Sequence, residues 1–145
     1  SCVVTCSLVK HRVFSKKKAL ISIWKDENRC LGIPLICEHC ERPPCMEACP
    51  QDVITKDSLT GIVTIDQASC TGCGACGEAC PFESEIIRLK DGVAIKCDLC
   101  GGEPACVKVC LQKALQYVTA TKQNAQVKSE WAEKRIRAIR TFKGF

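Results

Sequence analysis

Fourteen of the fifteen cysteines in this 145-residue chain fall at spacings that repeat along it. The first full run, Cys37, Cys40, Cys45 and Cys49 with Pro50 next, reads C-x2-C-x4-C-x3-C-P. The second, Cys70, Cys73, Cys76 and Cys80 with Pro81, reads C-x2-C-x2-C-x3-C-P. The third, Cys97, Cys100, Cys106 and Cys110, reads C-x2-C-x5-C-x3-C and is followed by Leu111. Ahead of them, Cys2 and Cys6 have the form of the last two cysteines of a fourth run.

The spacing has a physical cause. Three thiolates a few residues apart can wrap one face of a 4Fe-4S cubane, because the short loop between them turns tightly and points backbone N–H groups at the sulfides. The C-x3-C step carries the last cysteine about one helical turn onward, so it faces another direction. In two-cluster ferredoxins that fourth cysteine ligates the other cluster, and the second run here matches the spacing of the bacterial ferredoxin run. Proline after it ends the ligand segment and holds the preceding residue extended.

Other uses of cysteine fit less well. A disulfide framework of a small secreted protein needs neither C-x2-C-x2-C nor a trailing proline. Structural zinc takes paired C-x2-C units a dozen or more residues apart, four ligands per ion; Cys37/Cys40 and Cys97/Cys100 could be halves of such sites, but the remaining cysteines of each run would have no role. The C-x3-C-x2-C spacing of radical enzymes is absent.

A chain of this length ordinarily forms one domain around one apolar core. Here there are only seven aromatic residues, and cysteine supplies about a fifth of the hydrophobic count, so clusters must replace much of the core and the fold should depend on them. The formal charge of +5 does not point to nucleic acid. It counts every thiol as neutral, whereas an oxidised cubane with four cysteinates carries about −2, so three complete clusters bring the total to about −1. The basic residues then serve as counter-charges and surface charge. Lys16–Lys18, with Lys10, His11 and Arg12 before them, are the densest basic run, read as a solvated loop rather than a docking patch.

The cysteine runs also organise the chain. Residues 19–24 have the β-branched and aromatic content of a strand. Each C-x3-C step opens a short helix, over residues 43–49, 75–80 and 105–110. Each helix is followed by an apolar pair, Val53-Ile54, Ile86-Ile87 and Ala114-Leu115. Residues 62–65 read as a strand after Thr60-Gly61, and Asp91-Gly92 between residues 86–89 and 93–95 is a two-residue hairpin signal. Such repetition implies an α+β fold of ferredoxin half-modules.

The text from Ile36 to Leu115, carrying CEHCERPPC at 37–45, SCTGCGAC at 69–76 and IKCDLC at 95–100, resembles the four-cluster electron-transfer subunits that accompany molybdopterin and tungstopterin oxidoreductases, some hydrogenases and formate dehydrogenases. The likeness covers about residues 2–118. The small size is most similar to the iron-sulfur partner of tungsten aldehyde oxidoreductase complexes and of related benzoyl-CoA reductase complexes.

That resemblance implies two ferredoxin-like modules, an outer one from residues 1–35 with 90–123 and an inserted one from 36–89, followed by a helical tail at 124–145. It also implies exchange of the fourth cysteines. Cys37, Cys40, Cys45 and Cys80 would hold one cluster, Cys70, Cys73, Cys76 and Cys49 its neighbour, and Cys97, Cys100, Cys106 and Cys6 a third. Cys2 and Cys110 would serve a fourth, whose other two ligands are expected upstream of Ser1. Cys30 is left over, as a buried small apolar residue or a free thiol.

Two further positions stand out. Leu111 replaces the expected proline and restores a backbone N–H near Cys110, where hydrogen bonds to cluster sulfur tune potential; tolerance at a module edge is the simpler reading. His39 lies within a ligand loop and is expected to make a structural hydrogen bond rather than bind iron. In the tail, Val127, Trp131, Ala132, Ala138, Ile139 and Phe142 gather on one side at helical pitch, with Glu130/Lys134 and Glu133/Arg137 as i,i+4 pairs on the other. The stripe either folds back on the chain's own body or docks a partner subunit.

With two histidines, no Gly-rich dinucleotide fingerprint and no nucleophile–base arrangement, the chain reads as a non-catalytic electron wire. The resemblance implies a large catalytic tungsten or molybdenum pterin subunit as partner. On the other side it implies further copies of the chain or a flavin/NAD or ferredoxin-linked subunit, with no nucleic acid and no integral membrane segment. A free-standing polyferredoxin is the alternative. Oxygen-sensitive cubanes and free thiolates fit a reducing cytoplasm in an anaerobically living cell; some relatives are exported already folded with a partner.

Overall fold

The computed structural model describes residues 1–27, 30–82, 86–118 and 121–143, and it is an α+β structure of short elements. α1 (Cys2–His11) leads through a 3-10 turn at Lys16–Lys18 into the hairpin β1 (Ile21–Asp26) and β2 (Leu31–Ile36). α2 (Pro44–Glu47) precedes the hairpin β3 (Ile54–Lys56) and β4 (Val63–Ile65). α3 (Ala75–Glu78) precedes β5 (Arg88–Lys90) and β6 (Val93–Ile95), and α4 (Ala105–Lys108) and α5 (Lys122–Lys143) complete the chain.

The three hairpins are separate antiparallel ribbons, in register at Ile21↔Ile36, Ile54↔Ile65 and Arg88↔Ile95. A lone two-stranded ribbon is marginal in water, so each depends on what it packs against. Asp91 and Gly92 at the last turn have φ of 51 and 80, the left-handed pair that a tight hairpin with right-handed strand twist requires. β1 begins two residues later than the composition predicts because Ala19 and Leu20 are already buried in a core. β5 likewise begins at Arg88. Ile86 and Ile87 are both buried, which alternation along a half-exposed strand does not permit.

The short helices fall where the C-x3-C steps predict them. In each, the third cysteine of the run (Cys45, Cys76, Cys106) is buried within the helix, while the fourth (Cys49, Cys80, Cys110) sits just past its end and is half-buried. Pro44 occupies the first turn of α2, where its missing N–H costs nothing. α2 packs against α3, and α1 against α4.

Two apolar cores result. One gathers Leu35, Cys45, Ile54, Val63, Cys76, Phe82, Ile86, Ile87 and Ala94; the other gathers Cys6, Ala19, Leu20, Ile21 and Cys97. Cys37 packs against both. Of the three predicted apolar pairs, Ala114-Leu115 is the exception: Ala114 is exposed and only Leu115 leans on the second core.

α5 folds back on the body, but by only part of the predicted stripe. Ala132 and Ile136 pack on the first core, and Lys128 and Arg135 reach the body between them. Val127 and Trp131 are exposed, at 52% and 58%. The surface beneath the helix presents the Glu38 carboxylate and the carbonyls of His39 and Pro34, so cations and small residues fit it better than a tryptophan does. The side chains of Ile139 and Phe142 lie outside the described residues. Lys134 stands over the Trp131 ring at 5.4 Å rather than marking a separate polar face.

Candidate iron-sulfur centres

Each C-x2-C loop places a left-handed residue immediately before its second cysteine: His39 (φ 45), Gly72 (φ 67) and Leu99 (φ 54). That conformation reverses the chain so that backbone N–H groups point inward, an anion-binding arrangement. Leu99 N–H donates to Cys97 Sγ at 3.4 Å, Ala94 N–H to Cys70 Sγ at 3.3 Å and Leu20 N–H to Cys6 Sγ at 3.3 Å. In the third loop the left-handed run extends through Cys100, Gly101 and Gly102. There Asp98 Oδ1 accepts from Cys100 N–H at 3.0 Å.

Gly72 is required twice over. Its φ disfavours a side chain, and a Cβ would lie 2.1 Å from the carbonyl oxygen of Gly92 in the β5–β6 turn. The second ligand loop is thus seated directly on a hairpin turn that the sequence marks with its own Asp-Gly.

Cys37, Cys40 and Cys45 line a small pocket partly open to solvent, and Cys80 from the second run lines it with them. Pro43, Pro44, Val63, Phe82, Ile86 and Ile87 form its apolar walls. Burial pushes the Cys80 thiol up to about 11, and the nearby Cys37, Cys45 and Cys40 sulfurs reinforce the shift. On the other side of Cys37, burial raises Cys97 to about 12 and Cys106 to about 11, with Cys6 and Cys100 next to Cys106. Cys6 therefore lies among the third run, brought there by the packing of α1 on α4. Cys70, Cys73 and Cys76 neighbour one another, and Cys49 and Cys70 pack on the same core as Cys76. Cys2 leans on the second core, on the helix that packs against the one preceding Cys110.

Among the described residues no three Cys, His, Asp or Glu side chains converge closely enough to hold a single metal ion. Cys37, Cys40, Cys45 and Cys80 line a common space, an arrangement that a polynuclear cluster can use. Donor set, inward N–H groups and apolar walls all fit the cubane.

His39 Nδ1 accepts from Val63 N–H at 2.9 Å, so the expected structural hydrogen bond is present. Its Nε2 is buried without a protein partner, and burial, with Lys96 and Lys128 nearby, pushes its pKa down to about 3. Glu38 next to it is buried too; burial raises its carboxyl pKa against the opposing pull of Arg135 and Lys128. Neither Glu38 nor the cations Lys128 and Arg135 carried a sequence signal, since nothing local ties residue 38 to residue 135.

Two sequence readings change. Cys30 is exposed in the β1–β2 turn, so it is a free surface thiol and not a small core residue. Lys10 is not simply solvated: its Nζ lies 2.7 Å from Asp98 Oδ2 and ties α1 to the third ligand loop. Lys16, Lys17 and Lys18 are exposed, as read. The Leu111 side chain is 92% exposed, which fits tolerance at an edge.

A family model of the 4Fe-4S dicluster domain matches residues 29–120. The chain belongs to this family. Its cofactors are multiple 4Fe-4S clusters, and it is an iron-sulfur electron-transfer protein. The dicluster protein is 36% identical over 121 residues to the polyferredoxin-like subunit of aliphatic sulfonate oxidoreductase from Pyrococcus furiosus, covering 81% of this chain and 69% of that one. It is 33% identical over 130 residues to the thiosulfate reductase electron transfer subunit PhsB of Salmonella typhi, covering 81% and 67%. It is 35% identical over 98 residues to protein NrfC of Escherichia coli K12, covering 63% and 44%. No helix among the described residues is long and apolar enough to cross a membrane.

Proposed function

We propose that this dicluster protein is the non-catalytic electron-transfer subunit of an oxidoreductase complex whose catalytic partner carries a molybdenum or tungsten pterin, the tungsten aldehyde oxidoreductase type being the nearest in build. The observation that carries the reading is the cavity shared by Cys37, Cys40, Cys45 and Cys80, set beside the Cys97 group with Cys37 against both cores. Cysteines from different runs meeting across α2–α3 and α1–α4 support two interleaved modules, residues 36–89 and residues 1–35 with 90–123.

In this reading Cys37, Cys40, Cys45 and Cys80 hold one cluster, Cys70, Cys73, Cys76 and Cys49 a second, and Cys97, Cys100, Cys106 and Cys6 a third. Cys2 and Cys110 contribute to a fourth. Bound cubanes supply one-electron oxidation and reduction. The chain's own part is to hold the clusters by thiolate, sheath them with Val63, Phe82, Ile86 and Ile87, and donate N–H groups to the ligand sulfurs. Relatives named as subunits of sulfonate oxidoreductase and thiosulfate reductase support a catalytic partner. Oxygen-labile centres fit an anaerobic cell and a reducing compartment.

The test is anaerobic purification from the native source. Co-elution with a large pterin subunit, with molybdenum or tungsten by mass spectrometry, is the expected result. A brown, iron- and sulfide-rich chain that runs alone by native mass would make it a free-standing polyferredoxin instead.

A further inference from the structure

Lys96 is the one buried lysine or arginine among the described residues, 7% exposed. Its ammonium carries three N–H donors and meets three acceptors: Cys37 Sγ at 3.4 Å, the Cys97 carbonyl at 3.0 Å and the Val63 carbonyl. Every donor is used, so the charge is fixed in position. No carboxylate is among these partners. Burying a cation beside neutral groups costs several kcal/mol, and the anions available to offset that cost are the thiolates on either side, Cys45 among them.

The position is as telling as the burial. Cys37 belongs to the cavity shared with Cys80, Cys97 to the group around Cys106 and Cys6, and the Lys96 side chain bridges the two. Resting on the ligand sets proposed above, we infer that Lys96 is a shared counter-charge that raises the reduction potentials of both adjacent clusters and leaves the Cys70 cluster little changed. Reduction adds negative charge to a cubane, and a cation held at its ligand sulfur favours the reduced form. Lys96 acts through the Cys37 sulfur and the Cys97 backbone, so it is a positioning residue. It also makes the two clusters an electrostatic unit, because one fixed charge acts on both.

The experiment is an EPR-monitored redox titration of the full chain, in its complex if it has one, for wild type, Lys96→Gln, Lys96→Met and Lys96→Arg. A hydrogen bond from a charged donor is stronger than one from a neutral donor, and the Gln and Met variants lose it. The reduction equilibria of two clusters should therefore fall about tenfold in the Gln and Met variants, roughly 59 mV for a one-electron couple. The third should hold its value, and Arg should restore most of the loss. Unchanged potentials in fully loaded Gln and Met proteins overturn the inference. If those variants shed iron, the same two clusters must be lost and Arg must retain them; loss of all clusters in every variant is the behaviour of a merely structural lysine and also overturns it. Failure of the ligand sets reads out separately, as wild-type iron and sulfide too low for three clusters.

Discussion

Arg135 Nη2 lies 2.5 Å from Glu38 Oε1, joining the C-terminal helix to the first ligand loop across 97 positions of sequence. The carboxylate is 8% exposed and the guanidinium 20%, so water does little to screen either. Removing one partner of such a pair strands a buried charge at a cost of about 3 kcal/mol or more. Arg135→Ala should therefore loosen α5 and expose the Cys37–Cys40 loop, seen as faster limited proteolysis after Lys122. Adding Glu38→Gln should recover most of the loss, and a double variant as unstable as the single one would show that the pair is incidental.

The same docking predicts which side chains of α5 matter to the body. Ile136 packs on the first core, whereas Trp131 is 58% exposed. Ile136→Ala should lower stability by about 1–2 kcal/mol, below the roughly 2–5 kcal/mol of a full core truncation because it is only partly buried. Trp131→Ala should stay within about 0.5 kcal/mol. Denaturation midpoints of the loaded protein measure both, and a large Trp131 effect would reverse the assignment of faces.

Local chemistry was readable in this chain and long-range pairing was not. Spacing alone located the three short helices, and Asp91-Gly92 located a hairpin, because one turn of helix and a left-handed pair are properties of a few adjacent residues. Tight turns within the C-x2-C segments were readable too, although His39 and Leu99 adopt positive φ without being glycine, imposed by the turn rather than by propensity. What sequence could not show was the burial of Glu38 and Lys96 and the partial burial of Lys10. Charged residues are ordinarily solvated, and their partners at Arg135, Cys37 and Asp98 lie far away in the chain. The tail was legible only in part for the same reason: its helix and Ala132 were visible, but not that the surface beneath it presents the Glu38 carboxylate and backbone carbonyls.

Gly72 and Gly74 separate space from backbone conformation. Both have positive φ, yet a Cβ on Gly72 meets the Gly92 carbonyl while one on Gly74 meets nothing within 4 Å. Gly74→Ala should cost only the left-handed strain of about 1 kcal/mol. Gly72→Ala adds a backbone clash and should cost about 3 kcal/mol or more. The expected measurement is iron retained after anaerobic desalting, normal for Gly74→Ala and depleted by roughly one cluster for Gly72→Ala.

His39 makes the loaded fold sensitive to acid. Its folded pKa is about 3 against an ordinary value of 6.5, because the ring is buried, flanked by Lys96 and Lys128, and committed at Nδ1 to the Val63 N–H. The unfolded chain therefore takes a proton that the folded chain refuses. The stabilisation is complete above pH 6.5 and is lost as pH falls toward 3, by up to about 1.4 kcal/mol per pH unit. His39→Asn keeps an acceptor for Val63 and removes the titration, so the rate of cluster bleaching should rise less steeply with acid than in wild type. Equal slopes would remove His39 from the account.

Cys80 is the sharpest test of the interleaved ligation. It follows the second run in sequence but lines the cavity of the first, with its thiol pushed up by burial and by Cys37, Cys45 and Cys40. A serine there still offers an oxygen ligand, harder and more electron-donating than sulfur, and should lower the potential of the cluster it touches. Cys80→Ser should therefore shift the spectrum and potential of the Cys37 cluster and leave the Cys70 cluster nearly unchanged. Lys96→Gln supplies the cross-check, because it should move the Cys37 and Cys97 clusters but not the Cys70 cluster. The cluster shifted by Cys80→Ser must then be one of the two that respond to Lys96, whereas a shift confined to the cluster insensitive to Lys96 would mean that each run ligates its own iron.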